Sequence, residues 1–321
     1  MDLNHKKIVM TGATGFVGSN LLRYLCNHYS AECHILIRET SSFWRIKDVR
    51  DKVHPVRISL LDQDKLRRTI KRIKPDIVFH LLAYGGFPFQ KDIIEVIRSD
   101  ILATCNLLEA CRGLPLEAFI NTGSSSEYGP RDSVMAETDP LQPVTYYGAA
   151  KSCSTLLSRA YFFQARLPIV NLRLFSPFGF YDDASRLIPH VILSLLQDKP
   201  LTIRYPRAVR DYVFINDVVS AYIKALSLKK KQGQVFNIGS GKQVPVRDVV
   251  RLIRDILPVY SGTITERKVR SVPLSESPVW RASLARSRNE LKWEPGIGLK
   301  EGLQKTVEWF SENLEQYKKQ G

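Results

Sequence analysis

The sequence predicts an α/β fold, a doubly wound parallel sheet with a smaller C-terminal lobe, and three observations carry that prediction. Through residue 175, short β-branched runs alternate with amphipathic helical patterns, as in parallel strands joined by crossover helices. A glycine-rich turn separates the first strand pattern from the first helix pattern, and after Phe175 the alternation gives way to turn-rich sequence. The 321 residues are enough for one large domain or two smaller ones with a substantial core.

Each element follows from its own residues. "KKIVMTG" (6–12) reads as the first strand, 17–28 as a helix, "AECHILIR" (31–38) and "VHPVRIS" (53–59) as the next strands and 62–73 as a helix. "PDIVFHLLA" (75–83) is a fourth strand, followed by a helix over 93–111 and by "LEAFINTGS" (116–124). A helix over 147–165 leads to "LPIVNLRLF" (167–175). The plan is Rossmann-type. Beyond it "SPFGFYDD" is turn-rich, "RLIPHVILSLLQDK" (186–199) is one helix, and Pro and Gly punctuate short elements as far as "WEPGIGLKEGLQKTVEWFSENLEQY". The helix "DVVSAYIKALS" (217–227) is expected to return to the first lobe. The expected division is therefore 1–175 plus about 212–232 for the Rossmann-type domain. About 176–211 and 233–321 form the smaller lobe, over the carboxyl ends of the strands, where open α/β sheets bind ligands.

Composition narrows the class. Hydrophobic content of 44% and charged content of 25% are those of a soluble globular protein, and no apolar run approaches the ~18–20 residues of a membrane span. "MDLNHKKIVMTGATG" enters a strand pattern with no signal-peptide core, so a cytoplasmic location without membrane insertion is expected. The five cysteines (Cys26, Cys33, Cys105, Cys111, Cys153) are odd in number, lack C-x-x-C pairing and read as reduced core residues. The six histidines are scattered without ligand spacing, so no metal site is expected. The formal charge of +15 raises nucleic acid, an anionic surface or a polyanionic small ligand as partners. Lys and Arg are spread along the whole chain, however, and the dense run "KKK" (229–231) reads as a solvated helix end before Gly233. No RNA-binding signature is present. A nucleic-acid-binding or regulatory module is the alternative from another class, and no nucleic-acid partner is expected.

The turn in "IVMTGATGFVGSNLLRYL" places Gly12, Gly15 and Gly18 between strand and helix. Glycines there permit tight backbone conformations and close approach of a pyrophosphate, whose charge suits the free N–H groups of the helix N-terminus. With the strand before, the helix after and a second strand ending about twenty residues on, a dinucleotide is expected. That second strand ends "HILIRETSS". An acidic side chain there would bond the adenosine ribose of NAD, and a cation would accommodate the extra phosphate of NADP. The position holds Arg38, followed by Ser41, Ser42 and Arg45, while Glu39 comes one residue late and is expected to face solvent. NADP(H) is favoured over NAD(H).

Residues 146–151 read "YYGAAK". At roughly 100° per residue, Lys151 lies about 40° around a helix from Tyr147 but about 140° from Tyr146. Only Tyr147 shares its face. A nearby cation favours the phenolate and lowers a phenol pKa of ~10 toward the working range of an acid/base.

"TGATGFVGS", "HLLA" (80–83), "NTGSSSEYG" (121–129), "YYGAAK", "RLFSPFG" (173–179), "RDYVFINDV" (210–218), "FNIGSG" (236–241) and "LKWEP" (291–295) stand in the order and spacing of one family. Over nearly its whole length the chain resembles the extended short-chain dehydrogenase/reductases, in particular the nucleotide-sugar epimerases, dehydratases and reductases. The resemblance implies Tyr147 as the catalytic acid/base, Lys151 as the residue that lowers its pKa and bonds the nicotinamide ribose, and Ser124, with Ser125 as alternate, as the hydroxyl on the reacting oxygen. It implies cofactor contacts from Thr14, Phe16 and Val17 of the glycine turn and from Leu82 and Ala83, and substrate contacts from Ser125.

Departures from the family narrow the chemistry. Sugar 4,6-dehydratases carry an acidic pair where this chain has Ser125 and Ser126, and Glu127, displaced by one, is expected to point elsewhere. Asp100 stands where many relatives have Asn, Ser59 replaces an adenine-contacting Asp, and Ser176 replaces a common Asn. Arg210 and Arg281 match positions where relatives clamp the substrate diphosphate, a task suited to guanidinium forks, and Arg186 is a third candidate. The resemblance thus implies an NADPH-dependent reductase of a nucleotide-diphospho-4-keto-deoxysugar, similar to CDP-abequose and CDP-paratose synthases and serving surface polysaccharide or glycoconjugate biosynthesis. A 4-epimerase that recycles bound NAD is the alternative. A homodimer through helices such as 93–111 and 147–165 is expected.

Overall fold

The fold is seen in a computed structural model that describes residues 2–87, 89–228, 230–258, 260–267 and 276–318. Strand β1 (Lys7–Thr11) buries Ile8, Val9 and Met10 completely, the continuous apolar run of a strand covered on both faces. Helix α1 (Phe16–His28) follows the glycine turn, then β2 (Glu32–Ile37) and β3 (His54–Arg57). Helix α2 (Gln63–Ile73) starts where the Asp62 side chain accepts from the Lys65 N–H and ends at left-handed Lys74. After β4 (Ile77–His80) come α3 (Ile93–Val96), a π-helical turn over Ile97–Leu102, and α4 (Ala103–Cys111). The helix expected over 93–111 is therefore interrupted, with Asp100 turned into the interior at the wide turn.

Strand β5 (Ala118–Ser124), helix α5 (Tyr146–Ala165) and β6 (Ile169–Leu174) complete the alternation. Beyond it lie β7 (Ser176–Phe178), α6 (Leu187–Leu196), β8 (Leu201–Ile203), β9 (Val209–Phe214), α7 (Ile215–Leu226) and β10 (Gln232–Ile238). The remaining elements are β11 (Gln243–Pro245), α8 (Val246–Ile256), β12 (Ile264–Glu266), α9 (Leu299–Glu312) and α10 (Leu314–Lys318).

Seven strands form one parallel sheet in the order β10-β6-β5-β4-β1-β2-β3. The chain turns one way from β1 to β2 and β3, then the other way through β4 to β6, so the order reverses between β1 and β4. A crevice outside the strand ends at such a switch point is the ligand site of doubly wound sheets. A second sheet has the order β11-β9-β7, and β12 pairs with β8.

Two limits of the expected division fall elsewhere. Strand β10 buries Val235, Phe236 and Ile238 and extends the large sheet at the open edge of β6, beyond the expected limit near 232. Strand β9 crosses the expected limit near 212 and pairs with β7 and β11 in the second sheet. Helix α7 packs against α1, on the large sheet. Among the cysteines Cys33 and Cys111 are buried, Cys26 and Cys105 half-buried, and Cys153, placed in the core by its apolar neighbours, is exposed. Of the basic run 229–231, Lys229 lies outside the described residues, and the Lys231 ammonium donates to the Leu228 carbonyl at 2.8 Å.

Candidate active site

The glycine turn is built for close approach. Gly12 has φ +68°, and a Cβ there would lie 2.6 Å from the Leu81 carbonyl oxygen. A Cβ on Gly18 would strike the Gly12 carbonyl. The turn is thus pressed against the end of β4, and α1 begins at Gly15 with no side-chain cap and no acidic residue in its first turn. Its leading N–H groups and positive dipole end remain available to an anion. Gly12, Thr14, Gly15, Phe16, Val17 and Gly18 line one side of a cavity of about 1600 Å³. Such an uncapped helix start, packed so closely that the turn has no room for Cβ atoms at Gly12 and Gly18, fits a dinucleotide pyrophosphate.

Arg38, Ser41 and Ser42 line the same cavity beyond the end of β2. The Arg38 N–H donates to Ser41 Oγ at 3.0 Å, while its guanidinium is exposed and has no ion-pair partner among the described residues. Glu39 turns to Arg57 at 3.3 Å. Arg45 is engaged: its Nε donates to the Tyr181 carbonyl at 2.8 Å, it lies 3.6 Å from Asp183, and it stacks on Trp44.

Helix α5 starts at Thr145, whose hydroxyl accepts from the Gly148 N–H at 3.0 Å. A Cβ on Gly148 would lie 2.5 Å from the Ser126 carbonyl oxygen. Only glycine therefore lets the first turn of α5 rest on the turn after β5, and this contact brings Tyr147 to the cavity that Ser124 and Ser125 line. Tyr147 is half-buried, whereas Tyr146 is 64% exposed at the rim. Lys151, one turn on, has its ammonium 6.0 Å from the Tyr147 ring centroid. It sits behind the cavity wall at 2% exposure, donates to the Leu82 carbonyl at 2.8 Å and lies 3.3 Å from Asp100 Oδ1. Leu82 and Ala83 form part of the wall in front of it. Burial acts to lower the Lys151 pKa, but attraction to Asp100 and then Tyr147 outweighs it and leaves the ammonium above the ordinary lysine value.

Glu127 points away from the cavity. Its carboxylate accepts from the Ser124 N–H at 2.8 Å and from Thr155 at 3.1 Å, and pairs with Arg173 Nε at 2.7 Å. Ser124 Oγ in turn accepts from the Ser126 N–H at 3.1 Å. Ser124 at the end of β5 and Ser125 and Ser126 after it line the cavity, with no carboxylate among them.

The three expected substrate arginines part company. Arg186 lines the cavity near Tyr147, since a Cβ on Gly86 would lie 3.6 Å from both side chains, and its guanidinium stacks on Phe87 at 4.4 Å. Arg210 also lines the cavity, but its fork is held by Glu276 at 2.6 and 2.7 Å. Arg281 is exposed and is not part of the lining. Alternation along Trp280, Arg281 and Ala282 turns the first and third inward and sends Arg281 to solvent, so Trp280 forms that part of the wall. Sequence reasoning missed Trp280, for which the alternation along 280–282 was the available signal, and Glu276, for which no local signal existed. It also missed Asp182, a buried lining residue whose carboxyl burial pushes up to about 7 against the opposing pull of Arg186.

Comparison with known proteins places this geometry. The family model described as NAD dependent epimerase/dehydratase family matches residues 8–239. The dTDP-glucose 4,6-dehydratase of Neisseria meningitidis is 26% identical, with 96% of this chain and 94% of that protein covered. A solved UDP-glucuronic acid 4-epimerase from Bacillus cereus, in complex with UDP-glucuronic acid and NAD, superposes with a TM-score of 0.84 at 28% identity, covering 96% of this chain and 99% of the other. An epimerase of Methanothermobacter thermautotrophicus superposes with a TM-score of 0.89 at 26% identity, covering 99% and 95%.

Proposed function

Since the chain belongs to the NAD dependent epimerase/dehydratase family, extended short-chain dehydrogenase/reductases acting on nucleotide sugars, we propose that it reduces a nucleotide-diphospho-4-keto-deoxysugar with NADPH. The observation that carries this reading is the exposed Arg38 guanidinium, without an ion-pair partner among the described residues, at the end of β2. A cation there suits the adenosine phosphate of NADP, and Ser41 and Ser42 add hydroxyl donors. The lack of a carboxylate at Ser125 and Ser126, with Glu127 committed to Arg173, weighs against elimination of water.

When bound, the dinucleotide supplies a hydride to the sugar carbonyl carbon. The glycine turn and the α1 N-terminus would hold its pyrophosphate, and Lys151, behind Leu82 and Ala83, would be the residue to meet the nicotinamide ribose. Ser124 donates to the carbonyl oxygen, on which charge develops, and Tyr147 delivers a proton there. The carbonyl π pair becomes the new O–H bond, and Tyr147 regains its proton from solvent. Arg186 meets the sugar end beside Tyr147, and Arg210 serves the diphosphate once Glu276 releases its fork.

A second reading, a 4-epimerase that recycles NAD, is favoured by the likeness to the Bacillus cereus epimerase and uses the same Tyr147, Ser124 and Lys151. The deciding experiment offers NADPH and a panel of UDP-, TDP-, GDP- and CDP-4-keto-6-deoxysugars to the purified protein. Stoichiometric NADPH oxidation with one of them is expected. Conversion of a sugar nucleotide without net reduction, by protein that retains NAD, would assign the epimerase instead.

The smaller lobe, by the same reading, binds the nucleotide-sugar in the cytoplasm, and the enzyme is a homodimer. Exposed Ile94, Ile97 and Leu102 near α3 and α4, and Leu156 and Phe163 on α5, support an interface on these helices. Among the described residues no helix is long and apolar enough to cross a membrane.

A further inference from the structure

We propose that Asp100 is the resident counter-ion of Lys151, a positioning residue that fixes the ammonium behind Tyr147 and keeps its charge in place before any ligand arrives. The two side chains are 0% and 3% exposed, with Nζ and Oδ1 3.3 Å apart. Asp100 sits in the π-helical turn Ile97–Leu102, a local widening that often marks functional positions. Its carboxylate accepts from the Tyr84 N–H at 3.1 Å. Its carbonyl accepts from Thr104 Oγ1 at 2.7 Å, and that hydroxyl meets His80 Nε2 at 2.9 Å. His80 Nδ1 meets Thr11 Oγ1 at 2.7 Å, so the turn is tied to β4 and β1. The carboxylate is thereby held rigidly where the ammonium arrives.

A buried ammonium whose other anchor is the Leu82 carbonyl would tend to shed its proton. The remaining titratable groups facing it contribute less than Asp100 does. His80 on β4 is kept neutral by burial and by Lys151 itself, its pKa pushed down to about 3. Glu127 after β5 is committed to Arg173. Tyr147 is on the same helix as Lys151 and acts on its charge after Asp100, while Tyr222 of α7 faces Tyr147 and meets the Thr122 hydroxyl at 2.7 Å. Asp100 is the carboxylate in contact with the ammonium; burial pushes its carboxyl above the ordinary range, and the charge of Lys151 and the Tyr84 N–H oppose that push. Its value to catalysis rests on the reading of Tyr147 and Lys151 as the proton-transfer pair. The ion pair does not.

The test uses ligand-free protein carrying ¹³C at lysine Cε, with the Lys151 resonance identified as the one lost in Lys151→Met. In the wild type this resonance should keep its charged position through the range near ~10.4 where exposed lysines titrate. In Asp100→Asn, which retains an acceptor for the Tyr84 N–H, it should titrate about one pH unit lower or more, a tenfold loss of proton affinity. An unchanged midpoint in Asp100→Asn would overturn the proposal. So would a wild-type Lys151 that loses its proton below the ordinary lysine range, a result that does not depend on the folding of Asp100→Asn. No substrate enters the titration, so failure of the sugar-nucleotide panel and failure of the counter-ion are read separately.

Discussion

Glu127 and Arg173 form an ion pair at 2.7 Å whose side chains are 0% and 4% exposed, and the same carboxylate holds the backbone N–H of Ser124. Arg173 also donates to the Tyr128 hydroxyl at 3.0 Å, which donates to Asn237 on β10 at 2.7 Å. The turn that presents Ser124 is therefore fastened to β6 and to the sheet edge. Removing one partner of a buried pair leaves an uncompensated charge, so Glu127→Gln should lose about 3–5 kcal/mol of stability in urea denaturation. Glu39→Gln, which breaks the exposed pair with Arg57, should lose less than ~1 kcal/mol. Comparable losses in the two variants would refute the distinction.

His80 gives stability a specific pH dependence. Its imidazole is 2% exposed between Thr11 and Thr104, and its pKa is pushed down to about 3, by burial first and then by Lys151. The unfolded chain binds that proton near ~6.5, more readily than the folded one. The contribution is thus complete above ~6.5 and is lost as pH falls toward 3. At ~1.4 kcal/mol per pH unit, the stability of wild type relative to His80→Asn should fall by about 2 kcal/mol between pH 7 and pH 5. A difference that stays constant across that interval would count against the neutral buried ring.

The sheet and its helices were legible because each strand's apolar run and each helix's periodicity are local properties. Ile8 to Met10 read as strand residues without knowledge of their neighbours. The placement of Tyr147 rather than Tyr146 against Lys151 was legible for the same reason, since four residues along a helix fix a face. Long-range pairings were not. Nothing in "RDYVFINDV" shows that Arg210 meets Glu276 sixty-six residues later, and nothing local shows Asp100 reaching Lys151. The edge strand β10 was assigned to the smaller lobe because its partner β6 lies far back in sequence. Arg281 and Trp280 exchanged places because an arginine draws attention as an anion ligand, while alternation decides which side chain faces the wall.

Arg38 should set the choice of dinucleotide. Its exposed guanidinium lines the cavity, whereas Arg45 is taken by Tyr181 and Asp183. Arg38→Asp replaces the cation with an anion and should weaken NADPH by roughly ten- to hundred-fold, the worth of one charge-assisted contact of about 1.5–3 kcal/mol. NADH affinity should hold or rise. Dissociation constants for both dinucleotides, measured by fluorescence, check the ratio, and an unchanged ratio would show that another residue discriminates.

The adjacent tyrosines offer the sharpest comparison at the reacting centre. Tyr147→Phe keeps the ring packed against the cavity wall but removes the hydroxyl, so stability should change little while the chemical step slows by roughly 10²–10⁴-fold. Tyr146 is 64% exposed at the rim, and Tyr146→Phe should leave the step within about twofold of wild type, as an exposed side chain that donates no proton in the reaction. Lys151→Met removes the ammonium that lies 6.0 Å from the Tyr147 ring and bonds the Leu82 carbonyl. It should slow the step and also weaken dinucleotide binding, which Tyr147→Phe should affect less. Single-turnover kinetics and dinucleotide affinity, measured together on the three variants, separate the roles. Equal slowing in both tyrosine variants would mean that the shared face of Tyr147 and Lys151 is a packing feature and that the proton comes from another group.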